Sequence, residues 1–299
     1  MPGTVDQLAE ALRHSAQFVE QVLDDVLPQA DGPESRVTEA MRYAMLGGGK
    51  RLRPFLVLQT AQLCGVPAES AARTAAAVEC VHVYSLVHDD LPAMDNDDLR
   101  RGKPTVHKAF DEATAILAGD GLLTLAFGLL GADATHADPG VRCRLVVGLA
   151  QAIGHAGMIG GQAMDILLEG KNPDLAAVKR LQRMKTGALL TFSCEAGAIL
   201  GNTPESARQA IIAYGQDLGV AFQITDDLLD AEGDSVLMGK AARKDAQRGK
   251  PTMVAALGLE NARKEAEMLA GRASARLDCF GEKADLLREL AVYIVQRRT

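Results

Sequence analysis

The chain has 299 residues, of which 47% are hydrophobic and 24% charged, and its net charge is −7. This composition is that of a globular protein with enough apolar material for a large core. The negative charge disfavours non-specific attraction to nucleic acid, so an anionic ligand has to be met by local clusters of basic residues.

The cysteines and the N-terminal segment bear on the compartment. Five cysteines are scattered along the chain, without the paired spacing of a zinc site or a disulfide framework, which favours a reducing environment. Asp6 and Glu10 stand where a signal peptide would need a basic start and an apolar run. We therefore expect a cytoplasmic protein.

Apolar residues recur at helical spacing along nearly the whole chain, and alternating β-branched runs are lacking. Glycine and proline breaks divide the sequence into about ten or more helices, and no linker is long enough to separate domains. The sequence thus predicts an all-α fold with a single domain over residues 1–299. Two long, alanine-rich segments, Glu69–Asp90 and Glu205–Asp230, are expected to be central helices.

One stretch, Leu145–Met164, is uncharged and long enough to span a bilayer. It also contains five glycines, two glutamines and His155. We interpret it as a buried helix, and we expect no membrane span.

The segment Gly47–Pro54 combines three glycines with Lys50, Arg51 and Arg53, just before a predicted helix whose first turn can hold a proline. Such a segment can hold a phosphate group. A P-loop is excluded, because Ala44 stands where that motif begins with glycine and Arg51 where it needs serine or threonine. A solvated basic loop remains the alternative.

The first acidic cluster comprises Asp89, Asp90 and Asp95. Asp89 and Asp95 are separated by about 240° around an ideal helix, so their carboxylates converge only if the helix is distorted. Pro92 supplies a cause, because it lacks an N–H group and its ring clashes with the preceding turn. The basic run Arg100–Lys103 follows directly, and it could bind an anion or simply neutralise the aspartates.

Two further sets of polar residues stand within apolar helical segments. Lys185, Thr186 and Gly187 interrupt one of them, where a lysine can bind a ligand or merely extend to solvent. Gln162 and Asp165 share a helix face in another. A structural hydrogen bond and a role in an active site are equally compatible with this second pair.

The second acidic cluster comprises Asp226, Asp227 and Asp230. Asp226 and Asp230 lie one turn apart on the same helix face, whereas Asp227 points elsewhere. A structural role for the polar neighbours of this cluster, such as bonding to a nearby backbone group, also remains open. These neighbours are Gln223, Lys240 and Lys250.

Clustered carboxylates repel one another by about 1 to 4 kcal/mol per pair at close range, so a compensating cation is expected. Mg²⁺ is the candidate if the two clusters face each other across one cavity, and two unrelated acidic helix ends are the alternative. Calcium fits poorly, since residues 95–99 fail the EF-hand pattern. A di-iron bundle fails too, because Glu79 and His82 form the only Glu-x-x-His pair.

These motifs, in this order, resemble the trans-polyprenyl diphosphate synthases over nearly the whole chain. The resemblance implies an isoprenoid-synthase-type helical bundle around a central active-site cavity. The longer first acidic motif is similar to that of bacterial farnesyl and plant geranylgeranyl synthases, and the match is closest to the bacterial farnesyl group. The motifs that carry the resemblance are Gly48–Pro54, Glu79–His82, Ser85–Asp95, Asp98–Thr105, Lys185–Gly187 and Gln223–Asp230.

The resemblance implies a Mg²⁺-dependent head-to-tail (1′-4) condensation of isopentenyl diphosphate with dimethylallyl or geranyl diphosphate to farnesyl diphosphate, in a homodimer. Asp89, Asp95 and Asp226 would bind Mg²⁺. Catalytic contacts to the allylic substrate would come from Lys185, Thr186 and Gln223. The other substrate-binding residues would be Arg100 and Lys240 at the allylic diphosphate, and Lys50, Arg53, His82 and Arg101 at isopentenyl diphosphate.

Product length should depend on the depth of the apolar pocket below Asp89. Tyr84 and Ser85 lie about 7.5 and 6 Å down an ideal helix, and Tyr84 is rotated away by about 140°, so it can form a floor only if it packs inward. The resemblance favours that role for Tyr84. An aromatic residue at this position is similar to that of a short-chain synthase whose product stops at fifteen carbons.

The chain departs from the family pattern in the loop after Lys240, where Arg243 replaces a frequent glycine, and after Lys250, so the role of Lys250 stays open. Geranylgeranyl or geranyl diphosphate synthesis remains the first alternative. A class I terpene cyclase would not need a second basic site at Lys50, Arg53 and Arg101. A non-catalytic synthase subunit is a further alternative, although such subunits can lose an acidic cluster and this chain has both.

Overall fold

The computed structural model of this chain describes residues 4–29, 32–171, 173–232 and 251–297. Within these ranges the regular structure is almost entirely helical, so the all-α prediction is confirmed. The helices of the first half are α1 (Thr4–Val26), α2 (Ser35–Met45), α3 (Leu52–Leu63), α4 (Ala68–Asp89), α5 (Val106–Ala109) and α6 (Glu112–Gly131).

The second half continues the bundle with α7 (Pro139–Ile153), α8 (Met158–Leu168), α9 (Leu175–Gln182), α10 (Ala188–Leu200), α11 (Glu205–Glu232), α12 (Met253–Leu257), α13 (Leu259–Arg276) and α14 (Asp285–Gln296). Four short elements complete the described structure: the antiparallel strands β1 (Leu99–Arg100) and β2 (Lys103–Pro104), the π-helical segment Arg183–Gly187 and the 3₁₀ segment Asp278–Ala284.

The two predicted central helices are α4 and α11. In α4 the consecutive residues Ala75, Ala76, Ala77 and Val78 are all fully buried, which requires neighbours on every side of the helix. Those neighbours include α3 and α6, while α11 packs between α10 and α13. Both acidic clusters therefore stand at the ends of helices held on several sides.

Three helices begin at aspartates in the breaks between elements. Asp111, Asp138 and Asp174 precede α6, α7 and α9, and each carboxylate accepts a hydrogen bond of 2.7 to 2.8 Å from an amide two or three positions later. Such caps contribute about 1 kcal/mol each, because they satisfy amides that have no partner within the helix.

Glycines allow two close helix contacts near the centre. A Cβ atom at Gly197 would lie 2.3 Å from the amide nitrogen of Ala61, so only glycine lets α10 approach α3 this closely. Similarly, a Cβ atom at Gly215 would lie 2.9 Å from the Cα atom of Thr191, across the contact of α11 with α10.

The prediction of one buried helix over Leu145–Met164 is wrong in two respects. The stretch is broken into α7 and α8 at 154–157, where the backbone of Gly157 passes so close to Ala152 that a Cβ atom would lie 2.0 Å from its carbonyl oxygen. It is also incompletely buried, with Val147 and Ile159 about half exposed.

Two stretches are long and apolar enough to cross a membrane by composition, Glu112–Gly131 and Pro139–Leu168. The test carries little weight here, because core helices of soluble proteins pass it as well, and the second stretch is interrupted between α7 and α8.

Candidate active site

The first acidic cluster lies where α4 ends and the chain folds back. The helix stops at Asp89, before Pro92, and the amide of Asp95 then donates a 2.8 Å hydrogen bond to the Asp89 carbonyl. The expected distortion thus takes the form of a helix end with a return turn, which brings Asp95 beside Asp89. Burial, together with the charges of Asp95 and Asp90, raises the pKa of Asp89 to about 6, although Lys185 acts in the opposite direction.

Asp90 has a different role from its neighbour. Its carboxylate is buried and accepts hydrogen bonds from Nε and Nη2 of Arg100, at 2.7 and 2.6 Å for the closest contacts. Of the two roles left open for the basic run, Arg100 therefore has the second in this structure: it neutralises an aspartate of the first acidic cluster. Its predicted contact with the allylic diphosphate stays a prediction.

The second acidic cluster lies near the end of α11. Asp226 is bonded to the guanidinium of Arg297, which directly follows α14 and lies 4.3 Å over the ring of Phe222. Burial raises the pKa of Asp226, and Arg297 opposes that shift. Sequence reasoning missed Arg297, because 71 residues separate it from Asp226. The only local signal is a basic end to an apolar helix.

Asp227 points away from Asp226, as the helical spacing predicts. It accepts hydrogen bonds from the Gln182 side chain at 2.7 Å, the Met253 amide at 2.8 Å and the Gln223 side chain at 3.2 Å. Burial raises its pKa to about 7 despite these neutral donors.

The π-helical segment brings the three predicted catalytic residues into one neighbourhood. Thr186 donates a 2.7 Å hydrogen bond to the Gln223 side-chain oxygen, and Lys185 donates one of 2.5 Å to Asp165. A Cβ atom at Gly161 would lie 2.2 Å from the Lys185 amide nitrogen, so α8 packs directly against this segment. Single π turns are frequent at functional sites, because they break the regular helical hydrogen bonding.

The four residues predicted to bind isopentenyl diphosphate line one cavity of 740 Å³. Arg101 donates to the Gly48 carbonyl, and its guanidinium lies so near Gly49 that a Cβ atom there would be 2.7 Å from Cζ. Arg13, Arg51 and Arg297 line it as well, together with Glu79. We call the four predicted ligands the basic cradle: Lys50, Arg53, His82 and Arg101.

Burial and mutual repulsion shape the charges of the basic cradle. The pKa of Arg53 and that of Arg101 are lowered, chiefly by burial. Burial also holds the pKa of His82 well below its usual value, with further lowering by Arg53 and Arg101. His82 is accordingly a neutral hydrogen-bonding group and a poor base.

A second cavity, of 520 Å³, runs along α4 and α8 and has mostly apolar walls. Asp89, Lys185 and Thr186 line it, and it shares Arg53 and His82 with the basic cradle. We call it the apolar tunnel. The two cavities thus adjoin at two basic cradle residues.

Tyr84 and Ser85 also line the apolar tunnel. Tyr84 is buried, and its ring meets that of His88 edge to face at a centroid distance of 5.7 Å. The inward packing that a floor residue needs is therefore present. Gln162 lines the same tunnel, and its buried side-chain oxygen has no hydrogen-bond partner among the described residues.

The predicted metal ligands fit a hard cation. Within the described ranges no three histidine, cysteine, aspartate or glutamate residues cluster tightly enough to form a metal site. Asp89 and Asp95 nonetheless present carboxylate oxygens of the kind that Mg²⁺ prefers, and the cation beside Asp226 is a protein group, Arg297. Lys240, predicted to contact the allylic diphosphate, and Lys250, whose role the sequence leaves open, lie outside the described residues.

Comparison with known proteins defines the class. A family model described as polyprenyl synthetase matches residues 34–290, and the chain belongs to this family. It is a prenyltransferase.

The chain is 48% identical to the farnesyl diphosphate synthase of Escherichia coli over 266 residues, covering 87% of this chain and 89% of the relative. It is 44% identical to that of Geobacillus stearothermophilus, covering 85% and 86%. The crystal structure of an FPP/GFPP synthase from Zymomonas mobilis superposes with a TM-score of 0.88 at 48% identity, covering 97% and 99%.

Proposed function

We propose that the chain condenses isopentenyl diphosphate with dimethylallyl diphosphate and then geranyl diphosphate, in the head-to-tail (1′-4) manner, to give farnesyl diphosphate. One observation carries this assignment: a carboxylate-bearing apolar tunnel and a basic cradle adjoin at Arg53 and His82. Two diphosphates can therefore be held by chemically different walls. The farnesyl diphosphate synthases that match at 40 to 48% identity support the same reaction.

In the proposed mechanism the allylic diphosphate lies between the two acidic clusters. Asp89, Asp95 and Asp226 would hold Mg²⁺, which would supply positive charge to the leaving diphosphate. Lys185 and Arg100 add hydrogen bonds to the same group. Because the negative charge on the leaving oxygen grows as the carbon–oxygen bond breaks, these groups stabilise the transition state more than the bound substrate.

The allylic cation left behind needs nearby oxygen atoms and a dry pocket. The Lys185 carbonyl or Thr186 hydroxyl, with the amide oxygen of Gln223, would face it, and the walls of the apolar tunnel would exclude water. The isopentenyl double bond then forms the new carbon–carbon bond. The resulting cation loses a proton to the departed diphosphate, since the lowered pKa of His82 makes that side chain a poor base.

Farnesyl is the product that the tunnel favours. Tyr84 places a buried aromatic ring on the wall below Asp89, which limits the room for a longer chain. Geranylgeranyl synthases also match, for example synthase 11 of Arabidopsis thaliana at 42% identity, but the farnesyl synthase of Escherichia coli is more similar.

We further propose a cytoplasmic homodimer. Exposed apolar side chains on α6, α7 and α8 offer a surface for a second copy, among them Ile116, Leu117, Val147 and Ile166. The cytoplasmic assignment rests on the similarity to bacterial farnesyl diphosphate synthases and on the five free cysteines.

The purified chain alone, with MgCl₂, isopentenyl diphosphate and dimethylallyl diphosphate, tests the reaction by chromatography of the dephosphorylated products. Farnesol is expected, with geraniol as a transient. Products formed from an allylic diphosphate alone would instead indicate a cyclase. Absence of turnover with both substrates would favour a non-catalytic subunit.

A further inference from the structure

Arg51 stands between two residues of the basic cradle but is not one of its expected ligands. It precedes α3 with a positive φ of 48°, a backbone conformation unfavourable for a residue with a side chain. Its side chain is fully buried. Such a conformation persists only when surrounding contacts hold it in place.

The Arg51 guanidinium joins three parts of the chain. It donates hydrogen bonds of 2.6 Å to the Glu79 carboxylate and 2.5 Å to the Met45 carbonyl, and it lies 3.5 Å from the Glu20 carboxylate. Met45 ends α2 and Glu79 lies in the middle of α4. The glycine-rich loop is therefore fastened to two helices through this one side chain.

Glu79 stands on the helix face that carries the other half of the basic cradle. His82 follows it by three positions, which places both side chains on one face of α4. Glu79 is also buried, and its negative charge favours the charged forms of Arg53 and Arg101. It thus supplies a counter-charge to cations that would otherwise repel one another.

We propose that Arg51 and Glu79 are positioning residues for isopentenyl diphosphate: their buried ion pair fixes the spacing between Lys50 before α3, Arg53 in the first turn of α3 and His82 on α4. The substrate then meets a basic cradle that is already assembled, at low cost in ordering. This inference rests on the proposed function and deepens it.

The test separates positioning from stability. Arg51→Met alone leaves a buried carboxylate without its partner and should lower the melting temperature. The double variant Arg51→Met/Glu79→Gln removes both charges and should recover most of that loss. Its KM for isopentenyl diphosphate should nevertheless stay raised by roughly tenfold or more, because the cations are no longer held in place. Its KM for geranyl diphosphate should change less than about twofold.

A second variant and a matched control complete the design. Arg51→Lys keeps the charge but loses the planar fork that reaches two acceptors, so its KM for isopentenyl diphosphate should lie between the wild-type and double-variant values. The control Arg208→Met/Glu195→Gln removes an ion pair of 2.5 Å elsewhere, between α11 and α10. It should leave both KM values unchanged.

Binding of inorganic pyrophosphate without metal, measured by calorimetry, gives a readout independent of turnover. The double variant should bind it roughly tenfold more weakly than the control. A folded double variant with wild-type KM and pyrophosphate affinity would overturn the inference. If it does not fold, an unchanged KM in Arg51→Lys would do so. Failure of the wild-type chain to consume isopentenyl diphosphate would instead refute the proposed function.

Discussion

The two acidic pairs, Asp89-Asp90 and Asp226-Asp227, are each followed by leucine and are parallel in construction. In each, the first aspartate is partly accessible, Asp89 lining the apolar tunnel and Asp226 paired with Arg297, while the second is buried in hydrogen bonds to the protein. Adjacent helical positions point about 100° apart, so a pair of this kind places one carboxylate at a site and the other in the scaffold.

The buried members differ in their partners. Asp90 is bonded to a guanidinium, that of Arg100, whereas the hydrogen bonds that Asp227 accepts from the described residues come from neutral donors. Neutral donors do not offset the burial of a charge, which is why the pKa of Asp227 rises to about 7. Identical dipeptides can therefore meet different partners, because distant residues decide which groups surround the second carboxylate.

The largest expected effect is a loss of kcat when the first aspartate of either pair is replaced. Asp89→Asn and Asp226→Asn should each lower kcat by about 10²- to 10³-fold, because each removes a carboxylate that holds charge against the leaving diphosphate. Single-turnover kinetics with geranyl diphosphate measure this. The exposed Asp24→Asn serves as a control. A loss below about tenfold in either variant would contradict the assigned roles.

The second effect is a difference in the free energy of unfolding when the second, buried aspartate of each pair, Asp90 or Asp227, is replaced. Asp90→Asn should lower the free energy of unfolding by about 3 kcal/mol, because it leaves Arg100 without its counter-charge. Asp227→Asn should cost less than half as much, since its partners are neutral. Urea denaturation gives both values. Equal losses would show that the kind of partner does not matter.

The third effect is the pH dependence that Asp227 brings. Its folded pKa of about 7 lies above the ordinary value of 3.8, so between these values the folded state keeps a proton that the unfolded state has lost. The free energy of unfolding should therefore fall as pH rises from about 4 to 7 in metal-free protein. Asp227→Asn should reduce this fall, as measured by denaturation at pH 5 and 7.5. An unaltered slope would rule out Asp227 as its source.

The smallest effect concerns the cation beside Asp226. Arg297→Gln should strengthen Mn²⁺ binding in the absence of substrate by about fivefold, because the metal no longer displaces a partly buried ion pair worth about 1 kcal/mol. Electron paramagnetic resonance of free Mn²⁺ measures the affinity. The control is Arg288→Gln, whose side chain pairs with Asp285 instead. Weaker binding in Arg297→Gln would mean that the arginine assists the metal site.

Features that depend on local spacing were predictable. The end of α4, the interruption at Lys185 and the direction of the Asp227 side chain away from Asp226 follow from helical geometry and the effects of proline and glycine. The helix end before Pro92 was expected only as a distortion, because spacing does not reveal whether a chain kinks or turns back.

Features that depend on tertiary contacts were not predictable from the sequence. Arg297 pairs with Asp226 across 71 residues, and Arg51 with Glu79 across 28. For Arg100 the sequence left two roles open, and only the packing of β1 against the end of α4 places it on Asp90. A charged residue satisfied by a distant partner looks, in sequence, the same as one available to a ligand.

Metal binding in the presence of a non-cleavable thiolo analogue of geranyl diphosphate most directly tests whether the two acidic clusters act on one diphosphate. If they do, Asp89→Asn and Asp226→Asn should each weaken all analogue-dependent Mn²⁺ binding, because both clusters hold metals bridged by the same ligand. Two independent sites, each lost in one variant and intact in the other, would contradict the account.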